Sequence, residues 1–144
     1  MNKYNEIYSN IDDFKHELST LLLTAKKQKE VRDLDAYYEA LMLFKCSNRA
    51  KPIELLNEHL IDPYHDILYN KNMDFFITQL DDDRVSTNIN SSDILFIDQI
   101  KCIWNDLSFE CKENIWTYIL SICIQCEQLL NTSKLISKFD KNSV

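Results

Sequence analysis

The chain has 144 residues, a formal net charge of −7 at pH 7 and a hydrophobic fraction of 45%. This length fits one domain with a single core, and the apolar content argues against disorder of the bulk of the chain. Glycine is absent, which excludes the phosphate-binding loop, the dinucleotide fingerprint and the GxSxG elbow, while the acidic balance argues against a large nucleic-acid footprint.

Membrane and export signals are missing from the sequence. The longest apolar run, residues 115–126, is shorter than the roughly 18 residues that a membrane span requires. Residues 1–6 lack the apolar region of a signal peptide. The five cysteines have no framework spacing, which is typical of free thiols in a reducing compartment. We therefore expect a cytoplasmic protein.

Apolar residues recur with helical spacing nearly throughout, and no segment keeps a period of two. A first helix is predicted from Ser9 or Asn10, because Ser9-x-x-Asp12 resembles a capping box. Its predicted apolar face comprises Ile11, Phe14, Leu18, Leu21, Leu22 and Ala25. A second helix is predicted over residues 33–46, ending at Asn48, with Leu34, Tyr37, Tyr38, Leu41 and Phe44 facing inward.

Proline and asparagine divide the middle of the chain. Pro52 suits the first turn of a helix over residues 52–60, and Pro63 is expected to end that helix because the residue before proline disfavours the α region. A fourth helix over residues 63–69 should end at Asn70. Asn72 should then cap a short helix carrying Met73, Phe75, Phe76, Ile77 and Leu80, and a polar loop over residues 81–90 follows.

The C-terminal half carries the strongest helical pattern. Ser91 or Ser92 is predicted to cap a helix over residues 93–107, and Ser108 to cap a long apolar helix over residues 109–130. Ser108 alone joins these two predicted helices, and so short a connection favours an antiparallel hairpin that brings Trp104 near Trp116. Residues 132–144 are polar and are expected to fray as a tail, leaving residues 1–131 as the domain.

The fold prediction is therefore an all-α, single-domain bundle of about six helices with a C-terminal antiparallel hairpin. Asn48, Asn70 and Asn131 take the positions where glycine usually ends a helix, since asparagine is the next residue suited to the left-handed cap.

Four cysteines are candidate metal ligands: Cys102, Cys111, Cys123 and Cys126. Cys123-x-x-Cys126 has the spacing of a zinc half-site or a redox motif. However, the pair lies within a predicted apolar helix rather than a tight turn, and buried free cysteine packs as a small hydrophobic residue. Core packing is the favoured interpretation, with a zinc- or thiol-dependent protein as the alternative.

Other polar clusters carry weaker signals. His59 and His65 flank the predicted break, but a separation of six does not place both on one helix face. Asp81, Asp82 and Asp83 lack the alternation of a calcium loop, so a solvated acidic loop is favoured, with a contact for a basic partner as the alternative. The stretch from Lys26 to Arg32 is a small basic patch that a nucleic-acid accessory factor would need.

Aromatic residues form three stripes, at Tyr37/Tyr38, Phe75/Phe76 and Trp104/Trp116. Such stripes are core more often than base-stacking platforms, and this acidic chain lacks the basic groove that accompanies stacking. We therefore interpret all three as core.

The chain also bears a resemblance, which covers about a third of its length and lies mainly in the C-terminal third. It is carried by Asn72-Met-Asp-Phe-Phe and by W-x-x-L-S-x-x-x-K-x-x-I-W-x-Y, formed by Trp104, Leu107, Ser108, Lys112, Ile115, Trp116 and Tyr118. This pattern resembles one in uncharacterised small helical proteins of giant (nucleocytoplasmic large) DNA viruses. The resemblance implies a virus-encoded helical protein of the host cytoplasm or the virion, with no catalytic residues. The abundance of residues with AT-rich codons agrees with it.

Small virus-encoded helical bundles are also similar to the Bcl-2-like immune modulators of poxviruses. The groove motif of the wider Bcl-2 family contains Gly-Asp, which this glycine-free chain does not supply, so the likeness is one of fold alone.

Taken together, these patterns predict a non-enzymatic interaction or structural protein without a cofactor, whose partner is another protein or a second copy of the chain. Its binding energy would come from apolar and aromatic surface that the bundle leaves uncovered.

Overall fold

The computed structural model describes residues 3–78 and 95–141, which contain helices and no β-strand. The helices are α1 (Lys3–Thr24), α2 (Gln28–Ser47), α3 (Lys51–Leu56), α4 (Asp62–Tyr69), α5 (Met73–Thr78), α6 (Ile97–Ile103), α7 (Phe109–Leu130) and α8 (Lys134–Lys141). A π-helical turn, Asn57–Ile61, joins α3 and α4, so the described residues form seven continuous helical runs. The predicted all-α, single-domain bundle is confirmed.

Helix α1 begins six residues before the predicted start. Ser9 lies exposed inside the helix, so the predicted capping box there is wrong. The reason is that Ile7 and Tyr8 continue the apolar face upstream of Ile11, and both are buried. Extending the helix to Lys3 brings these two side chains into the core.

Helices α1 and α2 are antiparallel neighbours joined by residues 25–27. Tyr38 Oη donates to Asp12 Oδ1 at 2.6 Å, and Lys15 Nζ pairs with Asp35 Oδ1 at 2.8 Å. Helix α2 begins at Gln28, five residues before the predicted start, directly after the turn in which Lys26 has a φ of 60°.

The break predicted at Asp62-Pro63 is displaced by one residue: Asp62 keeps right-handed helical angles, and the helix is kinked just after the proline, at Tyr64. In a regular helix the proline ring would strike the carbonyl four residues back and leave that carbonyl without a donor. Here the Asp62 N–H bonds the Asn57 carbonyl, five residues back, and the wider π turn accommodates the ring. The distortion is taken up at Tyr64, whose φ is −122°.

Helix α6 is shorter than the predicted helix over residues 93–107. It begins at Ile97, after a turn in which the buried Phe96 has a φ of 55°, and it ends in a 3₁₀ turn, Trp104–Asp106. The proposed caps Ser91 and Ser92, Leu80 and the loop over residues 81–90 lie outside the described residues.

Helix α7 is the central element, and its predicted start is confirmed. Ser108 Oγ accepts a hydrogen bond from the Cys111 N–H at 3.2 Å. The indole rings of Trp104 and Trp116 meet edge to face with centroids 6.4 Å apart, as the predicted hairpin register requires.

The principal partner of α7, however, is α1 rather than the preceding helix of the predicted hairpin. Asn10 Nδ2 donates to Ser121 Oγ at 3.0 Å and to Gln125 Oε1 at 2.8 Å, and Phe14 stacks on Tyr118 at 5.3 Å. The α1–α7 pair, formed by segments distant in sequence, therefore makes the more extensive helix contact.

The predicted C-terminal tail is wrong for residues 134–141, which form α8. Leu135 is fully buried, and the Phe139 ring packs edge to face on Tyr69 with centroids 5.0 Å apart. Helix α8 runs parallel to α4, since Lys134 pairs with Asp62 and Lys138 with Asp66. The C-terminal segment is thus part of the packed bundle.

The asparagine stops are confirmed in position but only partly in geometry. Asn131 is left-handed, with a φ of 58°. Asn48 is extended, with a φ of −158°. Asn70 is right-handed, and the residue after it, Lys71, has the positive φ of 55°. The position at which the chain reverses direction therefore decides which residue is left-handed, and that residue is not always the asparagine.

The buried apolar side chains form one contiguous core that extends from Ile7 to Leu135. None of the helices in residues 3–78 and 95–141 combines the length and apolar character needed to cross a bilayer.

Candidate functional site

Helix α2 carries exposed apolar side chains on its outer side. We define the α2 outer face as Ala36, Tyr37, Ala40, Leu43 and Phe44, which share one side of the helix by their spacing of three, four and seven. Leu43 is 73% exposed and Tyr37 is 37% exposed. The two alanines are also exposed, and Phe44 is half-buried.

The α2 outer face exists because α2 carries two apolar stripes and buries only one. Leu34 and Leu41 are buried and Tyr38 packs partly on the core, whereas Phe44 is not among the side chains packed on it. The prediction that Tyr37 and Phe44 face inward is therefore corrected. Spacing alone missed this surface, because it does not say which stripe meets the rest of the bundle.

Two further large apolar side chains are exposed, but they lie apart at helix ends. Leu23, near the end of α1, is 56% exposed, and Phe109, at the start of α7, is 74% exposed. Single exposed apolar residues are common on soluble domains. They serve here as controls for the α2 outer face.

The four candidate cysteine ligands are spread over α6 and α7 in different environments. Cys102 is exposed, Cys111 is half-buried, and Cys123 and Cys126 are buried. Across residues 3–78 and 95–141, no three His, Cys, Asp or Glu side chains gather in an arrangement that could hold a metal ion.

The CxxC pair lies in the core, against α3. Cys126 Sγ donates to the Ile53 carbonyl at 3.2 Å. Burial raises the pKa of Cys126 to about 12 and, with the nearby Cys126 and Glu127, raises the pKa of Cys123 well above its usual value. Because the thiolate is the nucleophile and the metal ligand, these thiols are held in the unreactive form.

The histidines contact their own helices. His16 Nδ1 lies 2.9 Å from the Asp12 carbonyl, and His65 Nδ1 lies 2.8 Å from the Asp62 carbonyl. His59 is exposed. The structure does not bring His59 and His65 together with carboxylates as a metal site within the described residues. Asp81, Asp82 and Asp83 lie outside those residues.

The basic patch from Lys26 to Arg32 spans the α1–α2 turn and the first turn of α2. Lys29 Nζ bonds Asp33 Oδ2 at 3.0 Å, so part of its charge is balanced locally. Glu30 lies within the same stretch and raises the pKa of Cys102, after the larger effect of burial. The patch is thus interleaved with acidic groups.

Glu127 is a buried carboxylate that sequence reasoning did not single out. Its oxygens accept hydrogen bonds from the backbone N–H groups of Leu135 and Ile136, both at 2.9 Å. Its main-chain carbonyl accepts from the Thr132 N–H at 3.0 Å. Glu127 therefore helps to end α7 and to begin α8. A polar residue inside an apolar helical pattern, shortly before a second short pattern, was the available signal.

Gln99 on α6 is the other buried polar residue in the described part of the chain, being 3% exposed. Its Oε1 has no hydrogen-bond partner there.

A groove of about 370 Å³ lies between α1 and α7, lined largely by polar side chains that include Asn10, Glu17 and Ser121. Among the residues that the structure describes, its lining contains one carboxylate, Glu17, and no histidine or cysteine.

No protein-family model, curated protein or solved structure matches this chain. The resemblance to giant-virus proteins at residues 104–118 therefore stays a prediction.

Proposed function

We propose that this chain is a non-enzymatic protein-interaction or structural protein, and that it binds its protein partner through the α2 outer face. The supporting observation is that α2 carries a second apolar stripe on its outer side, with Leu43 73% exposed and Tyr37 37% exposed. Contiguous exposed apolar surface is typical of interaction sites, whereas scattered apolar residues are not.

The composition of the α2 outer face suits an interface centre. Tyrosine and phenylalanine are enriched where interfaces bury their core, and charged residues are enriched at the rim. The exposed Arg32 and Glu39 lie along one border of the face. The two alanines keep the helix surface low enough for a second helix to approach closely. Such a face fits the helix-on-helix mode of recognition.

A role as a viral accessory or virion-associated component is part of this proposal, and it rests on the resemblance at residues 104–118. Three alternatives rest on other features. The C-terminal cysteines would suit a zinc- or thiol-dependent protein, and the Lys26–Arg32 patch would suit a nucleic-acid accessory factor. The small helical fold would suit a Bcl-2-like host modulator. None of these is supported by an assembled group of side chains in the described residues.

The test is affinity capture from the natural setting with mass spectrometry, using the unmodified chain, Leu43→Lys and the matched control Leu23→Lys. We expect the unmodified chain and the control to retain the same partner, and Leu43→Lys to lose about tenfold of it, since hot-spot losses exceed 1 kcal/mol. Binding is then remeasured with the purified partner. Equal retention by all three chains would refute the assignment of the α2 outer face.

A further inference from the structure

We propose that α8 is exchangeable between two copies of this chain. The groove that α8 occupies, formed by α4 and the end of α7, would accept α8 of a second copy, which gives a domain-swapped dimer. Exchange of a terminal element is a low-cost route to a dimer because it reuses contacts that the monomer already makes.

The groove recognises this particular helix by charge and shape. Lys134 and Lys138 lie one turn apart on α8, and they pair with Asp62 and Asp66, one turn apart on α4. Leu135, on the apolar side of α8, is fully buried. A second copy of α8 carries all these groups at the same spacing, so it is complementary to the groove without any change.

The hinge is short, and its first residue is left-handed. Residues 131–133 join α7 to α8, and Asn131 has a φ of 58°. The left-handed region is less favourable than the right-handed region for residues other than glycine, and asparagine is the residue that tolerates it best among them. If Asn131 took the right-handed conformation, α7 would continue through the hinge and carry α8 away from its own groove. The swapped form therefore returns Asn131 to the right-handed helical conformation.

Glu127 is the contact that opposes exchange. Its carboxylate accepts from the N–H groups of Leu135 and Ile136 only while the chain turns back at Asn131. In a continuous helix these N–H groups would bond carbonyls four residues back. The balance between closed and exchanged α8 thus depends on Asn131 and Glu127.

The first experiment uses two charge-reversed variants, Asp62→Lys with Asp66→Lys, and Lys134→Glu with Lys138→Glu. Each variant alone places like charges between α8 and its own groove. In a mixture, each α8 matches the groove of the other variant. The two chains are unfolded, mixed one to one, refolded and weighed by native mass spectrometry.

We expect a heterodimer to dominate the mixture and to be absent when either variant is refolded alone. A mixture that contains only monomers, or only the species of each separate variant, would overturn the proposal.

The second experiment keeps every charge and changes only the hinge. Asn131→Ala disfavours the left-handed turn and Asn131→Gly favours it. We expect the alanine variant to raise the dimerisation constant about tenfold relative to the glycine variant, since the left-handed conformation costs a non-glycine residue about 1–2 kcal/mol. Light scattering across a concentration series measures it. Equal constants for the two variants would refute the hinge mechanism.

A Leu43→Lys variant distinguishes exchange of α8 from dimerisation through the α2 outer face. A swapped dimer keeps its dimerisation constant in this variant, because Leu43 lies on α2 and not in the α8 groove. Loss of the dimer on this change alone would assign the dimer to α2 and overturn the exchange of α8.

Discussion

At the scale of single residues, the buried carboxylate of Glu127 is the feature that the sequence pattern did not predict. A buried carboxylate is costly unless hydrogen bonds replace its water. Here two backbone N–H groups at the start of α8 supply them, and the positive end of the helix dipole favours the negative charge. One residue thereby connects the last turn of α7 to the first turn of α8.

Glu127→Gln tests this role. The amide keeps the size of the side chain but loses the charge and leaves one acceptor instead of two. We expect the free energy of unfolding to fall by about 1–3 kcal/mol, the cost of leaving buried donors unsatisfied. Urea titration measures the loss, and amide hydrogen exchange at Leu135 and Ile136 should show faster opening of α8.

The matched control is Gln128→Ala, because Gln128 is the exposed neighbour of Glu127 on the same helix. We expect a change within about 0.5 kcal/mol. If both variants lose equal stability, the loss belongs to α7 in general and not to the cap on α8.

At the scale of the element, two serines show when a capping signal is reliable. Ser108 precedes a long apolar pattern that begins after it, and it does cap α7. Ser9 has similar neighbours, but Ile7 and Tyr8 before it belong to the same apolar face. Burial of two large side chains outweighs one capping hydrogen bond. The helix therefore passes through Ser9.

Replacing each serine by alanine separates the two cases. Ser108→Ala removes the acceptor of the Cys111 N–H and should lower the free energy of unfolding by about 1 kcal/mol. Ser9→Ala, inside a helix and exposed, should change it by less than about 0.5 kcal/mol. Chemical denaturation of both variants is sufficient, and a Ser9→Ala cost as large as that of Ser108→Ala would contradict the observed start of α1.

Helix α8 shows the opposite limit of local reasoning. An isolated helix of eight residues is not stable in water, so a polar segment with few apolar residues correctly predicts little order by itself. Order comes from Leu135 in the core, Phe139 on Tyr69 and the capped first turn. These contacts join residues far apart in the chain.

Leu135→Ala tests the docking of α8. We expect a loss of about 2–5 kcal/mol in the free energy of unfolding, as for other buried leucines replaced by alanine. Leu43→Ala, at a leucine that is 73% exposed, is the control and should cost less than about 0.5 kcal/mol. A frayed C-terminal segment would instead make the two variants alike in thermal and urea unfolding.

At the scale of the whole molecule, buried thiols and a buried tyrosine make stability depend on alkaline pH. Burial raises the pKa of Cys126 from 9.0 to about 12 and raises the pKa of Cys123. Burial likewise raises the pKa of Tyr8, whose hydroxyl donates to the Arg49 carbonyl at 2.6 Å. All three groups stay neutral in the folded chain at pH values where the unfolded chain ionises.

The stability contributed by these three groups is therefore fully present below pH 9 and is lost as the pH rises, because the unfolded state loses protons that the folded state retains. Between pH 9 and 12, Cys126 should contribute a slope of up to about 1.4 kcal/mol per pH unit. Urea unfolding under reducing conditions at pH 8 and pH 10.5 measures it. We expect Cys126→Ala to show a shallower fall than the exposed-site control Cys46→Ala, and parallel pH profiles would contradict this assignment.

The sequence by itself determined the helical class, the start of α7 at Ser108 and the meeting of Trp104 with Trp116. It also determined the cap at Asn72, whose Oδ1 accepts a hydrogen bond from the Phe75 N–H at 3.2 Å. These features follow from apolar spacing and from hydrogen bonds between residues a few positions apart, so a short stretch of sequence is enough to predict them. The cysteines were also interpretable, since an apolar helix around Cys123 and Cys126 already indicated burial.

Only the tertiary structure decided which apolar stripe of α2 is covered, that the chain stays helical through Pro63 and kinks at Tyr64, and that residues 134–141 fold. Each of these outcomes depends on groups distant in sequence: the bundle beside α2, the buried residues on both sides of the π turn, and Glu127 with α4 beneath α8. Local preferences amount to a fraction of a kcal/mol per residue, whereas burial of one large side chain is worth about 1.5–3 kcal/mol. Where the two conflicted, burial prevailed.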